Sequence, residues 1–371
     1  MSFGQARDAV VGFLYRSILK PVFFWQDPED VHDRMTAAGE FLGNRQLTRK
    51  LTGAMFGFTH PMLEQTVAGL RFKNPIGLAA GFDKDARLTR ILPAVGFGFE
   101  EVGSITALAY AGNPKPRLYR LPQYQTLRVN YGLKNEGAEA NAHRIKNLKF
   151  QIPVGISIAK TNMPETSNVP AGIEDYFFTY QAFQNIGDYF TINISCPNTS
   201  EEKPIFAEPE NLDKLLAKLF GAPKAKPVFV KLSPDLPENR LRGILEVCGE
   251  YPVDGFVCTN LTKDNRFGHQ GNGGFSGAAV RQLSDELVAK VYRFYGGRKI
   301  VVGCGGVFSA ADAYKKIRLG ASLVQLITGM VFQGPQLIGE INRDLVKLLK
   351  RDGFRNISEA IGVDSRLEKL V

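Results

Sequence analysis

The sequence is poor in the residues that build metal and disulfide centres. Its 371 residues include four cysteines (Cys196, Cys248, Cys258 and Cys304), widely spaced and without a C-x-x-C pair, and four histidines (His32, His60, His143 and His269), none of which closes an apolar run. No zinc or iron–sulfur ligand set is legible, and a disulfide framework does not suit a chain of this size. Free thiols fit a reducing cytosol. The first residues lack the small-residue cleavage site of a secretory signal. No stretch reaches the roughly 18 uninterrupted apolar residues a membrane-spanning helix needs, so the expected protein does not cross a bilayer but is free to rest on one. Acidic residues are in deficit, 37 against 46 lysines and arginines, for a net charge of +9. That balance suits anionic small molecules, anionic lipid or nucleic acid and does not choose among them. The densest basic groupings, Lys134 to Lys149 and Lys214 to Lys231, read as solvated helix faces.

Glycine, by contrast, is plentiful: 38 residues, clustered at the ends of apolar runs. Residues 1–60 read as a helical extension. Val10, Phe13, Leu14 and Ile18 recur at helical spacing, with Pro21 and Pro28 as punctuation. A second helix starts at Asp27-Pro28-Glu29 and can be capped by Gly43. Phe13, Tyr15, Phe23, Phe24 and Trp25 stand among Arg7, Arg16 and Lys20, which suits an interfacial amphipathic helix or a helical layer packed on the main domain. From residue 61 a rhythm begins. Short apolar runs (Ile76–Ala80, Phe99–Val102, Val154–Ile158, Phe190–Ile194, Val228–Leu232, Gly255–Cys258, Ile300–Val302 and Leu323–Ile327) alternate with helix-like segments. Eight such alternations predict an α/β fold, a (β/α)8 TIM barrel over 61–350 behind the N-terminal extension, with 351–371 as a tail. A doubly wound sheet would want G-x-G-x-x-G after its first strand, which Gly77 to Gly81 does not supply.

In a barrel the chemistry sits on the loops after the strands. Here those loops offer lysines, amides, hydroxyls, one thiol and bare glycines. They hold no carboxylate pair for glycoside cleavage and no histidine cluster for a metal. The glycine turns after the last two runs, and Gly273-Gly274-Phe275-Ser276-Gly277, match the place where barrels bind a phosphate through backbone N–H groups. A phosphate anchor with lysines and amides suggests flavin mononucleotide (FMN), with Lys231 placed to balance the charge of the reduced ring. Lys231 is flanked by Val230 and Leu232, so burial and a partner anion are expected. The run Thr191 to Ile194 ends in Ser195-Cys196-Pro197-Asn198, which leaves Cys196 either a filler at a strand end or a reactive thiol at the barrel mouth.

Five motifs carry a resemblance: Gly77-Leu78-Ala79-Ala80-Gly81-Phe82-Asp83-Lys84, Pro116-Arg117-Leu118-Tyr119-Arg120-Leu121, Asn193-Ile194-Ser195-Cys196-Pro197-Asn198-Thr199, Val230-Lys231-Leu232-Ser233-Pro234-Asp235 and Gly303-Cys304-Gly305-Gly306. In this order, across roughly 15–345, the chain resembles the dihydroorotate dehydrogenases. Phe24 and Asp27-Pro28-Glu29 resemble the membrane-associated, quinone-reducing class. The resemblance implies FMN-dependent oxidation of dihydroorotate to orotate in pyrimidine biosynthesis, with quinone as acceptor and no nucleic-acid partner. It implies that the first helices form a quinone tunnel and rest on the inner face of the cell membrane. FMN contacts are then expected at Ala80, Gly81, Lys84, Ser104, Asn193, Lys231, Thr259, Gly277, Gly306, Ile327 and Thr328. Ser157 belongs with them, where the family usually has a flavin-touching asparagine. Substrate contacts are expected at Lys84, Asn193, Asn198 and Asn260, and over Asn130, Tyr131, Gly132 and Leu133. Cys196 is expected to take the C5 proton while hydride passes from C6 to the flavin.

The chain departs from the pattern at four places. Cys196 stands where the membrane-bound class has serine; a thiol, with a pKa near 8.5 that a nearby cation lowers, is the better base at neutral pH. Val129 falls where a substrate-binding asparagine is expected, with Asn130 one place late; Leu261 replaces a hydroxyl residue, and Ser157 an asparagine. Other readings are a flavin barrel acting on another dihydropyrimidine such as dihydrouracil, a flavin enzyme reducing uridine in RNA, and a catalytically silent phosphate-binding barrel.

Overall fold

Eight parallel strands close into a barrel: β1 (Ile76–Leu78), β2 (Phe99–Ile105), β3 (Val154–Ile158), β4 (Tyr189–Asn193), β5 (Val228–Leu232), β6 (Gly255–Cys258), β7 (Ile300–Cys304) and β8 (Leu323–Leu326), with β8 pairing back to β1. The structure is a computed structural model and describes residues 3–199, 204–221, 224–266, 268 and 271–367; His269 lies outside them. The predicted barrel and its helical preface are both present.

Strand residues alternate between two environments because successive side chains point to opposite faces. On β4, Phe190 and Ile192 join the outer core against the helices, while Tyr189 joins an inner cluster. On β5, Val228, Val230 and Leu232 pack outward and Phe229 inward. The interior is therefore layered. Phe99, Tyr189, Phe229 and Leu323 form the lowest layer, with the Tyr189 and Phe229 rings 5.4 Å apart, edge to face. Above it the Glu101 carboxylate accepts from Thr191 Oγ1 at 2.8 Å and Gln325 Nε2 at 3.0 Å. Asn193 and Lys231, paired across β4 and β5, form the top. A hairpin (Gln65–Val67 and Leu70–Phe72) contributes Val67 and Phe72 to the lowest layer, with Phe72 edge-on to Phe99 at 5.5 Å. At Gly77 a Cβ would lie 2.3 Å from the Phe99 ring, so the close approach requires glycine.

Pro21 does not interrupt the first helix as predicted. Helix Phe3–Leu14 continues through a wider π-turn, Tyr15–Leu19, into helix Lys20–Trp25. The Lys20 N–H reaches back to Tyr15 O, five residues away, which opens the spiral just where the proline ring would collide with it. The break comes at Gln26, in extended backbone. Asp27 then caps helix Pro28–Gly43 by accepting the Glu29 and Asp30 N–H groups. Helix Gln46–Phe56 completes the preface. A three-stranded sheet (Leu118–Leu121, Thr126–Val129, Gly274–Gly277) joins these helices in covering the upper end of the barrel. The C-terminal segment, set apart in the sequence, packs down as far as residue 367: Ile357 and Ala360 are fully buried, and Arg318 pairs with Asp352 and Asp364.

Phe99 fills the closed end of the barrel from a position with no solvent exposure. Phe99→Ala is expected to lower unfolding free energy by about 3–5 kcal/mol, measured by denaturant titration.

Candidate active site

A single cavity of about 480 Å³ occupies the open end of the barrel and extends beneath the N-terminal helices. Its barrel end is polar. Asn193 Nδ2 donates to Ser104 Oγ at 2.8 Å, and Ser104 Oγ lies 2.8 Å from Ser157 Oγ. Asn193 Oδ1 accepts from Asn260 Nδ2 at 3.3 Å and from Ser195 Oγ at 3.0 Å, while Asn260 Nδ2 also reaches Ser195 Oγ at 3.1 Å. These bonds fix the orientation of both amides. Lys231 is only 4% exposed, and among the described residues no acceptor lies within hydrogen-bonding distance of its ammonium. The Tyr131 hydroxyl and Asn198 Oδ1 are likewise buried without partners on the cavity wall. A buried ammonium on this wall calls for an anionic occupant.

Lys84 stands on the same wall, with Nζ 4.3 Å from the Tyr131 ring centroid and 3.4 Å from His32 Nε2. Burial, then the charge of Lys134, lowers its pKa to about 8. His32, whose Nε2 also lies 2.8 Å from Phe82 O, is lowered to about 4 by burial and by Lys84, and is neutral at physiological pH. Cys196 is half-buried, its exposure being to the cavity it lines. The expected lowering of this thiol by nearby cations is reversed. Enclosure by protein pushes it up to about 11; the Asn198 backbone N–H and then Lys231 pull the other way and are outweighed.

Beyond the polar end the cavity becomes an apolar arm walled by Phe23, Val31, Met35, Leu42 and Val331. Val31, Met35, Ala38 and Leu42 recur every three or four residues along helix Pro28–Gly43, so one helical face supplies that wall. Arg120 marks the junction, donating to Gln26 O at 2.7 Å with its guanidinium 4.8 Å from the Phe24 centroid.

Most expected site residues meet on this cavity: Ala80, Gly81, Lys84, Ser104, Asn193, Cys196, Asn198, Lys231, Asn260, Ile327 and Thr328, with Tyr131, Gly132 and Leu133. Ser157 and Thr259 stand one step behind, Ser157 bonded to Ser104 and Thr259 donating to Asn260 O at 2.7 Å. Gly277 and Gly306 also lie behind the wall. Both have φ above +70°, and a Cβ would meet Gln125 O at 2.4 Å in the first case and Arg281 Cβ at 2.3 Å in the second. The structure does not bring Asn130 to the cavity. Val129 faces it instead, and Asn130 Oδ1 accepts from Asn113 Nδ2 at 3.1 Å. Sequence reasoning missed His32 and Lys134, both on the wall. His32 carried a usable signal: it is one residue from Val31 on the tunnel helix. Lys134 sits in a basic cluster that looks solvated, and carried none.

Closed parallel barrel, glycine turns and a cationic, amide-lined chamber define the class: a (β/α)8 barrel with a polar ligand chamber at its open rim. The model of the dihydroorotate dehydrogenase family matches residues 62–349, and the chain belongs to that family. It is 37% identical to a dihydroorotate dehydrogenase (quinone) of Gloeobacter violaceus, over 94% of this chain and 98% of that one. It is 39% identical to one from Synechococcus, over 90% and 92%. Among solved structures, ligand-free DHODH from Eimeria tenella shares 29% identity with a TM-score of 0.81, covering 91% of this chain and 99% of that one. The same protein in complex with ferulenol gives 28% and 0.77, covering 87% and 96%.

Cys196 is the one half-buried thiol among the four cysteines, the others being buried. Thiol-directed alkylation of the native protein is expected to label Cys196 first. Because the thiolate reacts and its pKa is raised, labelling should be slow at pH 7 and speed up about tenfold per pH unit towards pH 9, followed by mass spectrometry.

Proposed function

We propose that the chain oxidises dihydroorotate to orotate, holds FMN as its resident cofactor, and passes the electrons to a quinone. The observation that carries this reading is the buried Lys231 ammonium without a counter-charge, set beside the rim amides and Cys196 at the closed end of a cavity whose other arm is apolar. FMN fits the residues present. Gly81 leaves bare backbone on the chamber wall, Ser104 and Thr328 offer hydroxyls, and Lys231 supplies the charge an anionic ring system needs. Bound there, FMN supplies two-electron acceptance and release between the two substrates.

Each residue then has a role. Lys84 meets the substrate carboxylate. Asn193, Asn198 and Asn260 orient the ring N–H and C=O groups, and rejection of ligands lacking those groups follows from leaving buried amides unpaired. Cys196 Sγ accepts the proton lost from C5, helped by the Asn198 backbone N–H that stabilises its charged form. A second reading, a neutral dihydropyrimidine, draws support from Val129 and Leu261, which put apolar side chains on the substrate end. The Lys84 ammonium weighs against it.

The apolar arm suits a quinone, and the surface around it suits a membrane. Val10, Phe13, Ile18, Val22, Trp25, Leu47 and Leu51 are exposed, Trp25 at 91%, with Arg16, Arg45 and Lys50 exposed among them. No helix among the described residues is long and apolar enough to cross a membrane. The exposed apolar and basic patch supports a chain that rests on the surface of a bilayer and draws quinone from it, in this reading on the inner face of the cell membrane.

The purified protein is expected to be yellow and to bleach when dihydroorotate is added without oxygen; a colourless protein, or bleaching by dihydrouracil instead, would reject the reading. Cys196→Ala should stay yellow and bleach slower by about 10²- to 10⁴-fold in stopped-flow absorbance. Replacing Phe13, Ile18 and Trp25 together by serine should abolish co-sedimentation with anionic vesicles and leave bleaching by dihydroorotate at the wild-type rate.

A further inference from the structure

Glu29, in the first turn of helix Pro28–Gly43, is 3% exposed and has no part in capping that helix, which Asp27 does. Its carboxylate instead reaches into the barrel domain. Arg117 holds it by two bonds, Nε to Oε2 at 3.0 Å and Nη2 to Oε1 at 2.7 Å. Lys134 Nζ donates to Oε1 at 3.1 Å, and Lys115 Nζ lies 3.7 Å from Oε2. Burial opposes ionisation of Glu29, but Arg117 and Lys134 outweigh it and hold the carboxyl at about 2. Arg117 spends its remaining amine on Ala111 O at 2.8 Å and Asn113 O at 2.7 Å. The segment so fastened carries the substrate wall. The Asn130 N–H donates to Arg117 O at 2.8 Å and the Asn113 N–H to Tyr131 O at 3.0 Å. The Tyr131 ring lies between two cations, Arg117 at 5.3 Å and Lys84 at 4.3 Å from its centroid.

We propose that Glu29 is a positioning residue of the substrate site: by clamping Arg117 and Lys134 it fixes the Tyr131–Leu133 wall and the charge around Lys84. The helix that walls the apolar arm is then also a working part of the opposite end of the cavity. This rests on the reading that Lys84 receives the substrate carboxylate.

The charges facing Lys84 give the inference a sign. From helix Pro28–Gly43 come Glu29, Asp33 and the neutral His32; from its own loop, Asp85; from the clamped segment, Lys134 and the un-ionised Tyr131. Lys134 disfavours the Lys84 ammonium, and Asp33, Asp85 and Glu29 favour it. Lys84 loses its charge as pH rises through about 8, so KM for a carboxylated substrate should climb on the alkaline side. Neutralising Glu29 moves that climb to lower pH. Neutralising Lys134 moves it to higher pH. Damage to packing would not move two neighbouring variants in opposite directions.

The experiment uses the full-length, flavin-loaded chain and anaerobic bleaching by dihydroorotate from pH 6.5 to 9.5. Glu29→Gln should raise KM on the order of tenfold at neutral pH through misplacement of the wall and shift the alkaline climb to lower pH. Glu29→Asp, which keeps the charge, should recover most of the loss. Lys134→Gln, at a side chain 30% exposed, should shift the climb upward. Wild-type KM and pH profile in Glu29→Gln would overturn the proposal. If that variant does not fold, an unshifted or downward-shifted climb in Lys134→Gln would overturn it. Wild-type protein that dihydroorotate does not bleach would overturn the functional reading and this inference with it, whereas a bleached wild type with unmoved variants overturns the inference alone.

Discussion

The register that sets Asn193 beside Lys231 across β4 and β5 is the constraint from which the rest follows. Barrel closure leaves those two inward positions at the top of a stack whose lower layers are filled, first by Phe99, Tyr189, Phe229 and Leu323, then by the Glu101 group. An ammonium placed there is nearly shut off from bulk water, and among the described residues it forms no ion pair, the Glu101 carboxylate being engaged by Thr191 and Gln325 in the layer below. Burying a charge without a partner is costly, so the fold tolerates Lys231 only if the open side supplies compensation. The chamber is thus electrostatically incomplete by construction. Its incompleteness faces the one direction from which a ligand can come.

The same cavity then changes character along its length, and the change is built from two separate parts of the chain. Barrel loops bring amides, hydroxyls and lysines; helix Pro28–Gly43 brings Val31, Met35 and Leu42. A polar chamber and an apolar arm favour different contents, and joining them puts two ligands of opposite chemistry into one continuous cavity. The join needs a rigid seam, because an exposed helical layer held only by apolar contacts would shift against the barrel. Tyr15 OH to Val331 O at 2.8 Å, Arg120 to Gln26 O, and Arg343 to Asp8 at 2.6 Å supply directional fastening along that seam.

What the sequence made legible follows from how each feature is encoded. Parallel barrel strands are buried on both faces, so Val154–Ile158 and Val228–Leu232 stand out as unbroken apolar runs, and glycines mark where they end. The rim residues of β4 and β5 were readable for the same reason. Val129 and Asn130 were not. They sit at the end of a short antiparallel strand, where one residue of register decides which side chain faces the cavity, and that register is set by pairing of Val129 with Gly274, 145 positions further on. Glu29 was equally opaque: an acidic residue after Asp27-Pro28 reads as favourable helix-start charge, and its burial depends on Arg117, which is distant in sequence. Pro21 was misread because a π-turn, invisible in any apolar period, made room for it.

Cys196 shows how the same enclosure that builds a site can hinder its chemistry. A thiol ionises more readily than a hydroxyl, yet here burial raises it to about 11, so the neutral thiol dominates at pH 7. A ligand that expels the remaining water disfavours the charge further, and an anion that engages Lys231 cancels one of the cations now helping it. What survives occupancy is the Asn198 backbone N–H, a dipole fixed by the Pro197-Asn198 turn and independent of ligand charge. A free thiolate waiting for substrate would pay the full penalty of burial. Between its two protonation states a thiol has a smaller energy gap than a hydroxyl, and a fixed backbone dipole acts directly on that gap.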